Sequence, residues 1–325
     1  MLGEIPGPSQ QTLKTVIGCK GIGLHSGRRV AMRLLPALPG TGIVFRRTDI
    51  GREIPARWEN TVESARCTKL SDNAGASVGT IEHVMAALAG TGIDNAIVEL
   101  DGPEVPIMDG SAAPFVFLIE CAGVAEQPAV RRAIAVLKPV RVVAQGASAS
   151  LSPGQLFSMS FEIDYQSPVI RQQGFSMVVV PESFKAELSR ARTFGLSEEV
   201  AHLRQAGLAR GGSLDNVVVV DGDQVLNRGG LRYRDEFVRH KVLDAVGDLY
   251  LAGAPLIGHF RGMRSGHTHN RLLLATLFAD PEAWTYTICP PAPEHPTLDR
   301  STLDRPGFAG AGGLSEMDGD RLARA

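Results

Sequence analysis

Residues 236–250, Glu-Phe-Val-Arg-His-Lys-Val-Leu-Asp-Ala-Val-Gly-Asp-Leu-Tyr, constrain this chain most. Val238, Val242, Leu243, Val246, Leu249 and Tyr250 recur at helical spacing, which predicts an amphipathic helix. His240 and Asp244 stand four apart on it. At about 3.6 residues per turn they share one face, a turn from each other. An imidazole and a carboxylate so placed can grip one divalent ion, and nitrogen and oxygen ligands of this kind suit zinc. The same spacing also occurs on solvated helix faces and in ordinary side-chain pairs, so the pair alone leaves both readings open. Asp248, one turn further on, is placed to hydrogen-bond a neighbouring histidine.

Composition narrows the class. With 325 residues, 44% hydrophobic and 21% charged, the chain is globular in composition and long enough for two domains. A formal net charge of −2 gives no global basic field, so no nucleic-acid partner is expected. No apolar run reaches the roughly 18 residues of a membrane span, and the first residues lack the basic start and apolar core of a secretory signal. Cys19, Cys67, Cys121 and Cys289 are scattered, with neither a paired-cysteine zinc motif nor a disulfide framework. The expectation is a cytoplasmic monomer without stable membrane insertion, whose metal would be held by His and Asp or Glu.

Along the chain, strands are expected at 12–18 and 28–35, joined through Lys20 to Gly27. Ser26 stands where a third glycine would complete a dinucleotide loop, so a tight turn is the better reading, with His25 at its tip either on the surface or lining a site. Another strand is expected at 42–47, and a small irregular subsheet over about 54–78. A helix follows over Thr80 to Gly90, with Thr80 as its N-cap and Glu82 in the first turn. Glu82 and His83 point about 100° apart on such a helix. One can bind a metal while the other reaches a water, although on these residues alone a capped, solvent-facing first turn is the plainer reading. A strand at 96–100, a loop at 101–110 and a helix at 111–122 complete the first half. Gly123 to Arg131 reads as a linker.

The second half opens with strands at 132–144, 156–163 and 174–180. Asp164 and Tyr165 put an acid beside an aromatic at a strand end. Residues 196–226 read as a helix plus the Val217–Val220 strand, an insertion more than a core element. A strand at 255–260 leads through Ser265-Gly266-His267 to an apolar helix at 272–278; metal binding, acid catalysis and capping are all open for His267. Residues 289–325, rich in Pro and Gly, read as an unstructured tail.

Six motifs in order then identify a resemblance: Gly-Ile-Gly-Leu-His-Ser-Gly (21–27), Thr-Ile-Glu-His-Val-Met-Ala-Ala-Leu-Ala-Gly (80–90), Pro-Ile-Met-Asp-Gly-Ser-Ala-Ala-Pro-Phe (106–115), Ala-Arg-Thr-Phe-Gly (191–195), His-Lys-Val-Leu-Asp-Ala-Val-Gly-Asp (240–248) and Ser-Gly-His (265–267). Together, from about residue 10 to 288, they resemble the UDP-3-O-acyl-N-acetylglucosamine deacetylase (LpxC) family, zinc amidohydrolases that commit Gram-negative bacteria to lipid A synthesis. The resemblance implies an α/β fold, an α+β two-layer sandwich in which two domains of similar topology pack their helices face to face around the site. Their expected bounds are 1–126, with a small-sheet insert at about 54–78, and 127–288, with a β-α-β insert at about 193–226 that passes the acyl chain.

Residue by residue, the resemblance implies that His83, His240 and Asp244 are the zinc ligands, with Fe2+ also suited to them. Three ligands leave a fourth position for water, as a catalytic site requires. Glu82 becomes the general base, Thr193 an oxyanion stabiliser, and His267 the charged general acid oriented by Asp248. Lys241, Arg264 and Tyr165 fall where the family meets the UDP or sugar, and Phe194 falls beside the glucosamine. Two departures stand out: Arg271 replaces an asparagine common in the family, and the tail beyond 288 has no counterpart. The rival expectation is a nucleotide-sugar or acyl-binding protein that kept the fold without turnover; such a protein needs neither Glu82 nor His267. A zinc amidase of the same fold with another substrate is a third.

Overall fold

The computed structural model describes residues 7–64 and 66–291, so the expected tail lies, from residue 292 on, outside the described residues. Two mixed sheets organise the chain. The first runs in the order Ile17–Ile22, Arg29–Pro36, Ala96–Leu100, Ile43–Arg47, Arg52–Pro55. Ile43–Arg47 is parallel to Ala96–Leu100 and the other pairs are antiparallel. Alternation builds it: in Arg29–Pro36, Val30, Met32 and Leu34 are buried while Arg29 and Arg33 face solvent. Each apolar side chain so buried contributes about 1.5–3 kcal/mol. Helices Glu82–Gly90 and Ala113–Ala122 belong to this half.

The second sheet has the order Val140–Ala144, Ala147–Ser152, Leu256–Met263, Arg132–Val136, Trp284–Ile288. Phe157–Asp164 joins it parallel to Leu256–Met263 and carries Gln172–Val178 antiparallel. Helix Glu236–Leu249 packs on those two strands, and helix His267–Ala279 on the first two.

The halves meet helix to helix. Glu82–Gly90 lies against Glu236–Leu249, and the approach is so close that a Cβ at Gly247 would sit 2.0 Å from the Glu82 carbonyl oxygen. Only glycine fits there. The first helix is buried almost all round, with Val84, Met85, Ala86, Ala87 and Leu88 fully enclosed. Two further small sheets flank this interface. Thr61–Val62, Lys69–Ser71 and Ser77–Val78 form one, within the expected 54–78 subsheet. Phe194–Leu196, Val218–Asp221 and Gln224–Val225 form the other, with helix Ser197–Gln205 between its first two strands. Gly110, at φ +85°, lets the second insert touch the first half, since a Cβ there would sit 2.1 Å from the Asn216 carbonyl oxygen.

Several expectations need correction. The strand expected at 12–18 is two, Ser9–Leu13 and Ile17–Ile22, and residues 20–22 extend the second rather than turn. Glycines at 18 and 21 remove the side-chain alternation that would have shown this. Gly123 to Arg131 does connect the halves, but mostly as strand Val124–Val130, paired with Ser9–Leu13. The register slips between Ser9 and Gln10, opposite Pro128 and Ala129, a bulge that accommodates the missing proline N–H. Thr80 is not a cap: it sits at φ 56° and its hydroxyl donates to Glu104 Oε1 at 2.9 Å, while the helix starts after Ile81. The helix expected at 272–278 begins at His267. Strand Ala147–Ser152 was not expected; its inward residues are two alanines and a leucine, too weakly apolar to announce themselves.

Candidate metal centre and active site

The packed helices bring His83 together with His240 and Asp244. Their ligating atoms lie within 4.8 Å of one another, and all three residues are buried. Asp244 Oδ1 is 3.5 Å from His83 Nε2 and 3.3 Å from His240 Nε2. The imidazoles meet edge to face, with centroids 5.0 Å apart.

These residues fit a divalent ion. Asp244 Oδ1 is buried with no hydrogen-bond partner among the described residues, which is costly for a carboxylate oxygen unless a cation meets it. His240 Nδ1 faces the Ala191 carbonyl at 3.1 Å; donating there leaves the Nε2 lone pair free to ligate. Two donors on one tetrahedral zinc, each about 2.0–2.1 Å from it, sit roughly 3.4 Å apart. Protonation states agree. Burial lowers the His240 pKa to about 4, so the ring is neutral, as a ligand must be. Burial works against ionisation of Asp244, but the His240 ring, which is charged in the acid range where this carboxyl titrates, and the Lys241 ammonium, 2.7 Å from Oδ2, outweigh it and hold the carboxyl well below its usual range.

Two further ionisable side chains, Glu82 and His267, stand around this triad. Glu82 precedes His83 at the start of its helix and is 3% exposed; burial raises its pKa well above the ordinary carboxylate value. Its Oε2 accepts the Thr68 backbone N–H at 3.0 Å. His267 opens its own helix, with Nε2 3.9 Å from Asp244 Oδ2 and Nδ1 2.8 Å from Asp248 Oδ2. Burial opposes a charge on His267, yet the Asp248 carboxylate overrides it and raises the pKa to about 9. Asp248 also accepts from Asn270 Nδ2 at 2.8 Å.

The other expected residues lie at graded distance. Phe194 stacks edge-on with His240, Tyr165 and Phe237, at centroid separations of 6.3, 5.7 and 5.0 Å. The backbone of Thr193 is pinned between Gly110 and Val218, two residues from the Ala191 carbonyl that orients His240. Lys241 is half-buried, with its ammonium 2.7 Å from Asp244 Oδ2. Arg264 is half exposed at the end of its strand, donating to the Gly146 carbonyl at 2.9 Å with Asp164 3.9 Å away. His25 has both ring nitrogens buried without a hydrogen-bond partner among the described residues, and burial lowers its pKa. Arg271 lines a cavity of about 20 Å³ with Asp248, His267 and Thr68. A larger cavity, about 330 Å³, lies at the far end of the paired helices, among Ala89, Val246 and Leu249, away from the triad. The sequence reading missed Thr68, which touches Glu82, Asp248 and His267.

The chain is similar to known proteins over most of its length. The family model described as "LpxC: UDP-3-O-acyl N-acetylglycosamine deacetylase" matches residues 10–279. The UDP-3-O-acyl-N-acetylglucosamine deacetylase of Myxococcus xanthus (strain DK1622) is 50% identical over 305 residues, covering 93% of this chain and 96% of that protein. Its counterpart in Acidithiobacillus ferrooxidans (strain ATCC 53993 / BNL-5-31) is 52% identical over 281 residues, covering 85% and 92%. On both counts, the chain belongs to the UDP-3-O-acyl N-acetylglycosamine deacetylase (LpxC) family.

Proposed function

We propose that this chain is a metal-dependent deacetylase that hydrolyses the acetamide of UDP-3-O-[(3R)-3-hydroxyacyl]-N-acetylglucosamine, releasing acetate and the free amine, the committed step of lipid A synthesis. The observation that carries the reading is one buried cluster holding a two-histidine, one-aspartate triad with a carboxylate and a charged imidazole on its flanks. The names of the two relatives supply the substrate.

His83, His240 and Asp244 would hold zinc or Fe2+, which would supply Lewis acidity to acidify a water and polarise a carbonyl. Glu82, made more basic by burial, takes a proton from the attacking water. Thr193 stabilises the oxyanion that forms as the acetyl carbon becomes tetrahedral. His267, protonated at neutral pH, gives its Nε2 proton to the departing nitrogen as the C–N bond breaks. Asp248 fixes the His267 ring through Nδ1. Phe194 and Tyr165 offer aromatic faces to the sugar and nucleotide; Lys241 and Arg264 face their anionic groups.

On the same reading, residues 1–126 and 127–288 are two domains, each with its own sheet and helices, joined through strand Val124–Val130. Free cysteines throughout, and the absence among the described residues of any helix able to cross a membrane, accord with work in the cytoplasm on the UDP-linked headgroup.

The test is acetate release from the UDP-3-O-acyl-N-acetylglucosamine substrate, before and after a chelator, with metal content read in the same samples. Chelator-sensitive release with about one metal per chain is expected. Metal-loaded protein that releases no acetate refutes the reading.

A further inference from the structure

Thr68 comes from the small sheet of the first half, just before strand Lys69–Ser71. Its main chain is clasped to the start of the His83 helix: its carbonyl accepts the Ile81 N–H at 3.3 Å, and its N–H donates to Glu82 Oε2 at 3.0 Å. Its side chain reaches into the other half. The hydroxyl donates to Asp248 Oδ1 at 2.5 Å and lies 3.1 Å from His267 Nδ1. The residue is 8% exposed, so water does not replace these bonds.

The chemistry of this arrangement is specific. A hydroxyl has one proton and two lone pairs. The proton goes to Asp248 Oδ1, and a lone pair faces the His267 Nδ1–H, whose main partner is Asp248 Oδ2. Asp248 then receives three donors: Thr68, His267 and Asn270. With one oxygen anchored by Thr68, the carboxylate cannot rotate away from the imidazole. The same residue fixes Glu82 through its backbone. We infer that Thr68 is a positioning residue that ties the proton acceptor Glu82 to the proton donor pair His267–Asp248, holding both at a fixed separation across the interface between the halves. This rests on the deacetylase reading for what the two groups do.

Outer hydrogen-bond partners of this kind typically change activity by 10–100-fold when removed. Thr68→Val keeps the shape and the backbone N–H but deletes the hydroxyl; Thr68→Ala deletes it with less bulk; Thr68→Ser restores it. With full metal content and an unchanged melting temperature, Thr68→Val and Thr68→Ala should lower kcat about 10–100-fold, with KM within about threefold, and Thr68→Ser should recover most of kcat. A second readout needs no turnover: the downfield NMR resonance of the His267 Nδ1–H proton, assigned by its loss in His267→Gln, should move in Thr68→Val and return in Thr68→Ser. Deletion variants with wild-type kcat, a loss seen only in KM or metal content, or an unmoved resonance would overturn the proposal. Wild-type protein without acetate release refutes the deacetylase reading alone, because the resonance still decides whether Thr68 positions His267.

Discussion

Replacing Gly247 by alanine puts a methyl group between the two helices that carry the candidate metal triad. The new Cβ would lie 2.0 Å from the Glu82 carbonyl oxygen and 3.0 Å from the Ala86 nitrogen; the shorter contact falls 1.4 Å inside the 3.4 Å at which ordinary contact begins. Both contacts are main chain, so no rotamer change relieves them. The helices must separate by about 1 Å or more, and His83 rides on one while His240 and Asp244 ride on the other. The 3.5 Å spacing of His83 Nε2 and Asp244 Oδ1, now close to the roughly 3.4 Å that two donors on one tetrahedral ion span, then widens well beyond it. Overpacking of this sort destabilises by about 1–3 kcal/mol, and an unyielding backbone puts it at the upper end. At about 2–4 °C per kcal/mol, the melting temperature should fall by roughly 6–12 °C. Calorimetry and metal content after dialysis against zinc measure both effects. Gly229→Ala is the control, since a Cβ there meets nothing within 4 Å. A Gly247→Ala protein that melts with the wild type and retains one tightly held metal would show that helix contact does not set the ligand spacing.

Three further outcomes are expected. His83→Ala and Asp244→Ala should each abolish stoichiometric metal binding and lower turnover by at least about 100-fold, read by elemental analysis and acetate release. Glu236 is fully buried and accepts Arg192 N, Nε and Nη2 and Arg232 N, so Glu236→Ala leaves the Arg192 guanidinium without its counter-charge, with the Gly230 carbonyl still accepting from Nη2, and should destabilise by about 3 kcal/mol, measured by denaturant unfolding. The His267 pKa is raised above its ordinary value, so the proton-donating form is present at and below neutral pH and is lost as pH rises through about 9. The alkaline arm of the kcat profile should therefore fall near that pH, and Asp248→Asn should move it down by about 1 unit or more; an unmoved arm would mean another group controls it.

The candidate metal triad was legible because two of its members obey a helical rule. His240 and Asp244 are four apart on a strongly periodic segment, and Glu82-His83 opens another. That the two segments touch is not a local property. It depends on Gly247 and on the small residues Ala86 and Ala87, whose meaning appears only when the partner helix is in place. Motif order bridged that gap in grouping His83 with His240 and Asp244, and His267 with Asp248, which the structure brings together.

Thr68 had no such bridge. It sits in a short, irregular sheet whose strands are two or three residues long, where neither a period of 2 nor one of 3.6 can be seen. Its hydroxyl partner, Asp248, is 180 positions away, and the bond to Glu82 uses the backbone, which any residue but proline supplies. Thr80 misled for the opposite reason: a threonine two residues before a helical run looks like a cap, but Glu104 draws its hydroxyl away and holds it at positive φ. In both cases a buried carboxylate decides where a hydroxyl goes, and those carboxylates come from distant parts of the chain. A threonine beside an active-site helix is therefore best assigned by asking which buried acceptor lacks a donor, not by its distance from the helix start.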